Sequence, residues 1–178
     1  MNLMKFVSVF NDVMGPVMRG PSSSHTAASY RIGCMARSLL GKVPAEARFT
    51  FDPGGSYAQV YRQQGVDLAF AVGILGWKLT DERFFSALEE AKKQNIKIEF
   101  KIASLPGTSL PTAGQDPEGK EQGEELEISA KSTGGGGMII DRIGSWQVDL
   151  DGKAYFYLIE CKSIVDSQVR DILSNVKG

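Results

Sequence analysis

Hydroxyl and imidazole side chains cluster near the amino terminus, in the run Gly20-Pro21-Ser22-Ser23-Ser24-His25-Thr26, called the serine loop below. An imidazole takes up and releases a proton near neutral pH, so His25 is a candidate for acid–base work or for binding an anion as its cation. His25 is the sole histidine among the 178 residues, which concentrates this chemistry at one position. The hydroxyls of Ser22, Ser23 and Thr26 could donate hydrogen bonds around the same ligand.

The segment after the serine loop predicts the helix that must position it. From Thr26 to Leu40 an apolar stripe recurs in steps of four, three and four, as one helix face requires: Ala28, Ile32, Met35 and Leu39. Ser24 is the expected N-cap of this helix, and Gly41 is the expected left-handed C-cap. A helix amino terminus exposes backbone N–H groups and the positive end of the helix dipole. The serine loop therefore predicts a site for a small anion or an amino acid.

Other interpretations of these residues are open or less favoured. Ser24 alone could be an ordinary cap without function. A serine-protease-like triad is disfavoured, because no second histidine exists and no carboxylate is placed to orient His25. The glycines Gly134–Gly137 lack the Lys-Ser/Thr pair and the helix start of a phosphate-binding loop. A turn between two strands is the favoured interpretation of these four glycines.

The remaining pattern mixes helices and strands, which predicts an α/β (α+β) fold. Helices are predicted around Phe6–Val13, at Ser56–Gln64, after Thr80-Asp81-Glu82 and at Val165–Val176. Strands are predicted by alternation at 47–51, 96–102, 126–130, 138–143 and 146–150, with a further strand at 154–159 after the turn signal Asp151-Gly152. Residues 66–75 are apolar without a clear period, so helix and strand stay open there. Residues 104–124 are rich in Pro, Gly, Gln and Glu and predict a long exposed loop.

Composition excludes several classes of partner. The net charge of −1 disfavours a nucleic-acid partner held through phosphate contacts. No stretch approaches the roughly 18 apolar residues of a membrane-spanning helix, and the amino terminus does not resemble a signal peptide. The expected location is therefore the cytoplasm. Two isolated cysteines, Cys34 and Cys161, cannot form a four-cysteine zinc site or hold an iron–sulfur cluster unaided, so no metal ligand is predicted in this chain.

The serine loop and its flanks resemble the beta chain of iron–sulfur-dependent L-serine dehydratases (L-serine ammonia-lyases). The resemblance begins at Phe10-Asn11-Asp12-Val13-Met14-Gly15-Pro16 and is strongest at the serine loop. It continues more thinly at Arg31-Ile32-Gly33, Gly55-Ser56-Tyr57-Ala58 and Ser132-Thr133-Gly134-Gly135-Gly136. The family has a Gly-His-x-Thr-Asp segment where this chain has Gln63-Gln64-Gly65-Val66-Asp67, without the histidine and the threonine.

This resemblance implies a fold, an activity and partners. The fold would be the family's beta domain, similar to the allosteric substrate-binding domain of some phosphoglycerate dehydrogenases. The activity would be the conversion of L-serine to pyruvate and ammonia by a subunit that is inactive alone. The [4Fe–4S] cluster would be held by a separate alpha chain. His25 would be the catalytic residue, and Ser22, Ser23, Ser24 and Thr26 would bind the substrate.

Two further expectations concern domains and alternatives. Residues 1–152 are expected to form the beta-type domain, and residues 153–178 a carboxy-terminal strand and helix related to the start or remnant of an ACT-like domain. The alternative function is a non-catalytic regulatory module that binds L-serine or a related small anion. A homo-oligomer is compatible with the sequence, while Trp77, Phe84, Phe85 and Trp146 are assigned mostly to the core rather than to an interface.

Overall fold

The computed structural model describes residues 17–105 and 125–152 of the chain. Its helices are α1 (Ser23–Leu40), α2 (Val66–Leu75), a 3₁₀ helix (Glu82–Ser86) and α3 (Ala87–Lys93), which follows the 3₁₀ helix directly. Its strands are β1 (Glu46–Phe51), β2 (Lys97–Ile102), β3 (Ile128–Gly134), β4 (Gly137–Ile143) and β5 (Trp146–Leu150). This mixture of helix and sheet confirms the predicted α+β composition.

The described strands form two small sheets. Strands β1 and β2 pair in parallel, with Glu46 opposite Lys97 and Phe51 opposite Ile102, and α2 and α3 lie in the connection between them. Strands β3, β4 and β5 pair antiparallel in chain order. The glycine run Gly134–Gly137 closes the turn from β3 to β4, which confirms the interpretation of this run as a turn between strands.

Helices α1 and α2 pack face to face at two glycines. A Cβ atom at Gly73 would lie 2.6 Å from the Tyr30 carbonyl oxygen and 2.8 Å from the Cys34 nitrogen. A Cβ atom at Gly33 would lie 2.9 Å from the Phe70 carbonyl oxygen. Because backbone atoms of one helix occupy the space that a side chain would need on the other, only glycine permits this close approach.

Helix α2 lies at the centre of the hydrophobic core. Nine of its ten residues are buried, including Val66, Asp67 and Gly73. One apolar cluster joins α2 to the 3₁₀ helix and α3, and a second joins α1 and α2 to β4. A helix buried on all sides shows no apolar stripe, which explains why its sequence left helix and strand open.

The structure corrects one predicted helix and refines another. Residues Ser56–Gln64 form a series of turns rather than a helix, because their hydrogen bonds alternate between different spacings, as in Val60 N–H to Tyr57 O and Gln64 N–H to Val60 O. The helix predicted after Thr80-Asp81-Glu82 begins as the 3₁₀ helix, with the Asp81 carboxylate accepting from the Arg83 N–H at its start.

Of the four aromatic residues that the sequence assigned mostly to the core, two lie in or against it and two are exposed. Phe84 is fully buried and Trp77 packs partly buried against the first cluster, whereas Phe85 is 67% exposed and Trp146 is 49% exposed. The predicted elements at Phe6–Val13, 154–159 and Val165–Val176, most of the predicted loop 104–124 and the proposed domain 153–178 lie outside the described residues. Within the described residues, no helix has the length and apolar character needed to cross a membrane.

Candidate functional site

Ser22 and His25 form a hydrogen-bonded pair at the start of α1. The Ser22 hydroxyl oxygen lies 2.8 Å from Nδ1 of His25. Ser22 occupies the N-cap position, with extended backbone angles, but its side chain does not cap the helix. The predicted N-cap, Ser24, lies inside the first turn, so that prediction was wrong by two residues. The Ser22 hydroxyl therefore fixes the imidazole instead of the helix end and leaves Nε2 as the ring nitrogen available to a ligand.

The amino terminus of α1 leaves donors available for an anion. Its first helical hydrogen bond runs from the Thr26 N–H to the Ser22 carbonyl at 2.9 Å. The N–H groups of Ser23, Ser24 and His25 precede that bond and receive no side-chain cap from Ser22. The first turn carries no acidic side chain that could occupy the position of an anion. Together with the helix dipole, these donors favour a carboxylate at this point. At the other end of α1, Gly41 is the left-handed C-cap, as predicted.

Thr26 and Arg19 hold the serine loop in place. Thr26 is fully buried, and its hydroxyl contacts the carbonyl oxygens of Arg19 and of Ser23, the latter at 3.1 Å. The Arg19 guanidinium donates to the Asp81 carbonyl at 2.8 Å and lies 4.5 Å above the ring centre of Phe84. The loop is thereby tied to the start of the 3₁₀ helix. Ser23 is exposed, whereas Ser22, Ser24 and His25 are half-buried.

The turn segment 52–65 forms a second wall against the serine loop. The Tyr57 ring meets the His25 ring edge to face, with centroids 5.1 Å apart. At the other end of the segment, a Cβ atom at Gly65 would lie 2.9 Å from Pro21 and 3.5 Å from the Thr26 methyl group. The sequence does not predict that this segment lies at the site, although the family resemblance includes Gly55-Ser56-Tyr57-Ala58.

Few groups at this site could hold a metal ion. No cluster of three or more His, Cys, Asp or Glu side chains occurs in the part of the chain that the structure describes. Burial raises the pKa of the Cys34 thiol, which keeps it protonated and a poor ligand. Burial also raises the pKa of Asp67, whose carboxylate accepts from the Leu68 N–H at 2.9 Å. The described residues do not fit an iron–sulfur cluster, which takes several thiolates.

The arrangement can bind a small carboxylate and move a proton next to it. Helix N–H groups and the serine hydroxyls supply hydrogen-bond donors, and the imidazole of His25 is oriented on one side by Ser22 and on another by Tyr57. The predicted site residues Ser22, Ser23, Ser24 and His25 thus occupy one helix end, while the Thr26 side chain points into the loop. No carboxylate among the described residues hydrogen-bonds to His25, so the geometry does not form a serine-protease-like triad.

Comparison with known proteins gives two relatives. The chain is 40% identical over 153 residues to the "Probable L-serine dehydratase, beta chain" of Bacillus subtilis (strain 168). It is 32% identical over 149 residues to the "L-serine dehydratase, beta chain" of Peptoniphilus asaccharolyticus. Each match covers 84% of this chain and 66% of the relative's length. No family model and no solved structure matches the chain.

Proposed function

Because the chain belongs to the family of L-serine dehydratase beta chains, we propose that it is the beta subunit of an enzyme that converts L-serine to pyruvate and ammonia. Family membership confirms the resemblance predicted from the sequence. The observation that carries the proposal is the side chain of Ser22, which occupies the N-cap position without making a capping hydrogen bond. Its hydroxyl is hydrogen-bonded to the sole histidine instead, so the N–H groups of the first turn are left for a ligand. The carboxylate of L-serine is small enough to accept hydrogen bonds from those N–H groups, and its negative charge suits the positive end of the helix dipole.

His25 is the proposed proton-transfer residue. Loss of the α-proton and of the β-hydroxyl turns L-serine into 2-aminoacrylate and water, and hydrolysis of its imine tautomer gives pyruvate and ammonia. Each stage needs a group that accepts or donates a proton next to the bound carboxylate. Nδ1 of His25 is joined to Ser22, so we assign proton transfer to Nε2.

The hydroxyl side chains of Ser23, Ser24 and Thr26 divide into two proposed roles. Ser23 and Ser24 lie in the uncapped first turn, where their hydroxyl and N–H groups would bind the carboxylate. Thr26 was expected to touch the substrate, but its buried hydroxyl contacts the carbonyls of Arg19 and Ser23. We therefore propose that Thr26 serves the substrate indirectly, by fixing the position of the serine loop.

The cofactor and partner belong to the same proposal. We assign the [4Fe–4S] cluster to an alpha chain, because the described residues cannot hold it. The serine loop would face that chain, and the complete active site would form between the two subunits in the cytoplasm. The fold would be the family's beta domain, similar to the allosteric substrate-binding domain of phosphoglycerate dehydrogenases.

The decisive experiment is co-expression with a candidate alpha chain without oxygen, followed by cluster reconstitution and an assay of pyruvate release. We expect activity only with both chains, and a loss of about a hundredfold or more in kcat/KM for His25→Ala, the range for losing a general acid–base. Ser22→Ala keeps the imidazole and removes only its anchor, so its loss should be smaller, about tenfold. Full activity of His25→Ala would refute the catalytic assignment.

A regulatory module is the second candidate. The observation in its favour is that Ser22 is the one side chain hydrogen-bonded to His25 in the described regions, so no carboxylate assists the imidazole. Anion binding at the helix terminus needs no such assistance. A stable complex in which L-serine changes turnover of the alpha chain, and in which His25→Ala alters that response but not basal turnover, would support this candidate instead.

A further inference from the structure

Tyr57 brings an additional polar group to the serine loop. Its ring lies between two aromatic neighbours, with its centroid 5.1 Å from that of His25 and 5.8 Å from that of Phe51. Both contacts are edge to face, a favourable geometry for aromatic pairs. The two contacts therefore give the ring a defined position against His25, at the edge of the serine loop.

The Tyr57 hydroxyl has no hydrogen-bond partner in the part of the chain that the structure describes. Its oxygen is buried, and no donor or acceptor of the described residues reaches it. The side-chain oxygen of Gln64, at the other end of the same turn segment, is also buried without a partner. Burying a polar group without a partner is unfavourable, and natural proteins keep such groups rarely and often for a functional reason.

Building on the proposed function, we propose that Tyr57 is a substrate-contacting residue whose hydroxyl donates a hydrogen bond to the carboxylate of the bound amino acid. A phenol hydroxyl is a donor, and a carboxylate offers only acceptors. The ring contact places the side chain that carries this donor next to His25, on the side that the turn segment closes. A donor shielded from water binds a charged acceptor more strongly than an exposed one. The carboxylate would thus lie between the α1 amino terminus and Tyr57.

The test compares two tyrosines that pack on the same phenylalanine. Tyr57→Phe keeps the ring contacts and removes the hydroxyl. Tyr61→Phe is the matched control, because the Tyr61 ring also packs on Phe51, at 5.2 Å, but not on His25. In the complex with the alpha chain, we expect Tyr57→Phe to weaken L-serine binding about 10- to 100-fold, as for a hydrogen bond to a charged group. Tyr61→Phe should leave it unchanged.

Two small probes identify the part of the ligand that Tyr57 contacts. Compared with L-serine, 3-hydroxypropanoate lacks the ammonium group and ethanolamine lacks the carboxylate. Tyr57→Phe should weaken competition by 3-hydroxypropanoate and leave competition by ethanolamine as it is. Equal weakening of both probes, or of neither, would overturn the assignment of the carboxylate to Tyr57.

Thermal unfolding of the full chain without ligand separates this role from a structural one. Without ligand, a buried hydroxyl that lacks a hydrogen-bond partner destabilises the folded protein. Tyr57→Phe should therefore raise the unfolding midpoint, by about 2–4 °C for a chain of this size. A lowered midpoint with equal losses of affinity in both tyrosine variants would overturn the inference. Binding is measured separately from turnover. A complex that binds L-serine, and binds it more weakly with Tyr57→Phe, but forms no pyruvate would refute the proposed function and retain the assignment of Tyr57 as a ligand contact. A complex that binds no L-serine would overturn the assignment of Tyr57.

Discussion

Replacing Gly73 by alanine tests whether the close approach of α1 and α2 stabilises the fold. Two effects of opposite sign act at this residue. Alanine stabilises a helix interior by about 1 kcal/mol relative to glycine. The added Cβ would, however, lie 2.6 Å from the Tyr30 carbonyl oxygen and 2.8 Å from the Cys34 nitrogen, both backbone atoms of α1.

The clash should outweigh the gain in helix propensity. Overpacking a core typically costs about 1–3 kcal/mol, and the upper half of that range applies because two backbone atoms, rather than flexible side chains, must move. The net loss at Gly73 is then about 1–2 kcal/mol. For a chain of this size it lowers the unfolding midpoint by about 2–8 °C.

Thermal unfolding followed by circular dichroism measures this difference directly. Ser38→Ala is the matched control, since Ser38 is exposed on α1 and the substitution adds helix propensity without a clash. We expect the control to match or exceed the wild type. A higher midpoint for Gly73→Ala than for the wild type would show that the helices separate at no cost, and the close-packing argument would fail.

Two further predictions concern the supports of the site. Thr26→Val keeps the shape of Thr26 but removes the contacts of its hydroxyl to the carbonyls of Arg19 and Ser23, so it should destabilise the chain by about 1–3 kcal/mol. Thr26→Ser keeps the hydroxyl and should restore most of the unfolding midpoint. Equal midpoints for both variants would contradict the role of the hydroxyl. The Arg83 guanidinium lowers the pKa of Asp81 to about 2, so Asp81→Asn should unfold at a lower temperature than wild type at neutral pH. That difference should shrink as the pH falls from about 4 to about 2, and a difference independent of pH would refute the ion pair.

The elements with one buried face could be predicted from the sequence. In α1 the stripe that includes Ala28 and Ile32 reports directly which side meets the core, and both residues are buried. In β1 the alternation of Ala47, Phe49 and Phe51 with polar residues does the same for a strand. A periodic pattern arises only where one face is buried and the other is not. Helix α2 has no such contrast, and its sequence could not distinguish helix from strand.

The turn segment 52–65 shows where local preference is overridden. Its sequence between Ser56 and Gln64 is compatible with a helix, but the structure uses Tyr57 to contact His25 and Tyr61 to contact Phe51 and Phe100. Both rings pack on Phe51, but only Tyr57 also meets His25 and only Tyr61 also meets Phe100. The mixed hydrogen-bond spacings of the segment accommodate these contacts. Tertiary contacts thus decide the conformation, and sequence periodicity does not record them.

The distinction between local and tertiary contacts also explains which half of the candidate site the sequence revealed. Ser22 and His25 lie three residues apart, so their contact belongs to one turn of chain and their residue types alone suggest it. Tyr57 reaches His25 only because the turn segment that follows β1 packs against the serine loop, at Pro21 and at His25. The local half supplies the imidazole and the helix N–H groups, and the distant half supplies a donor that has no partner among the described residues. A ligand held by both halves would tie the turn segment to α1.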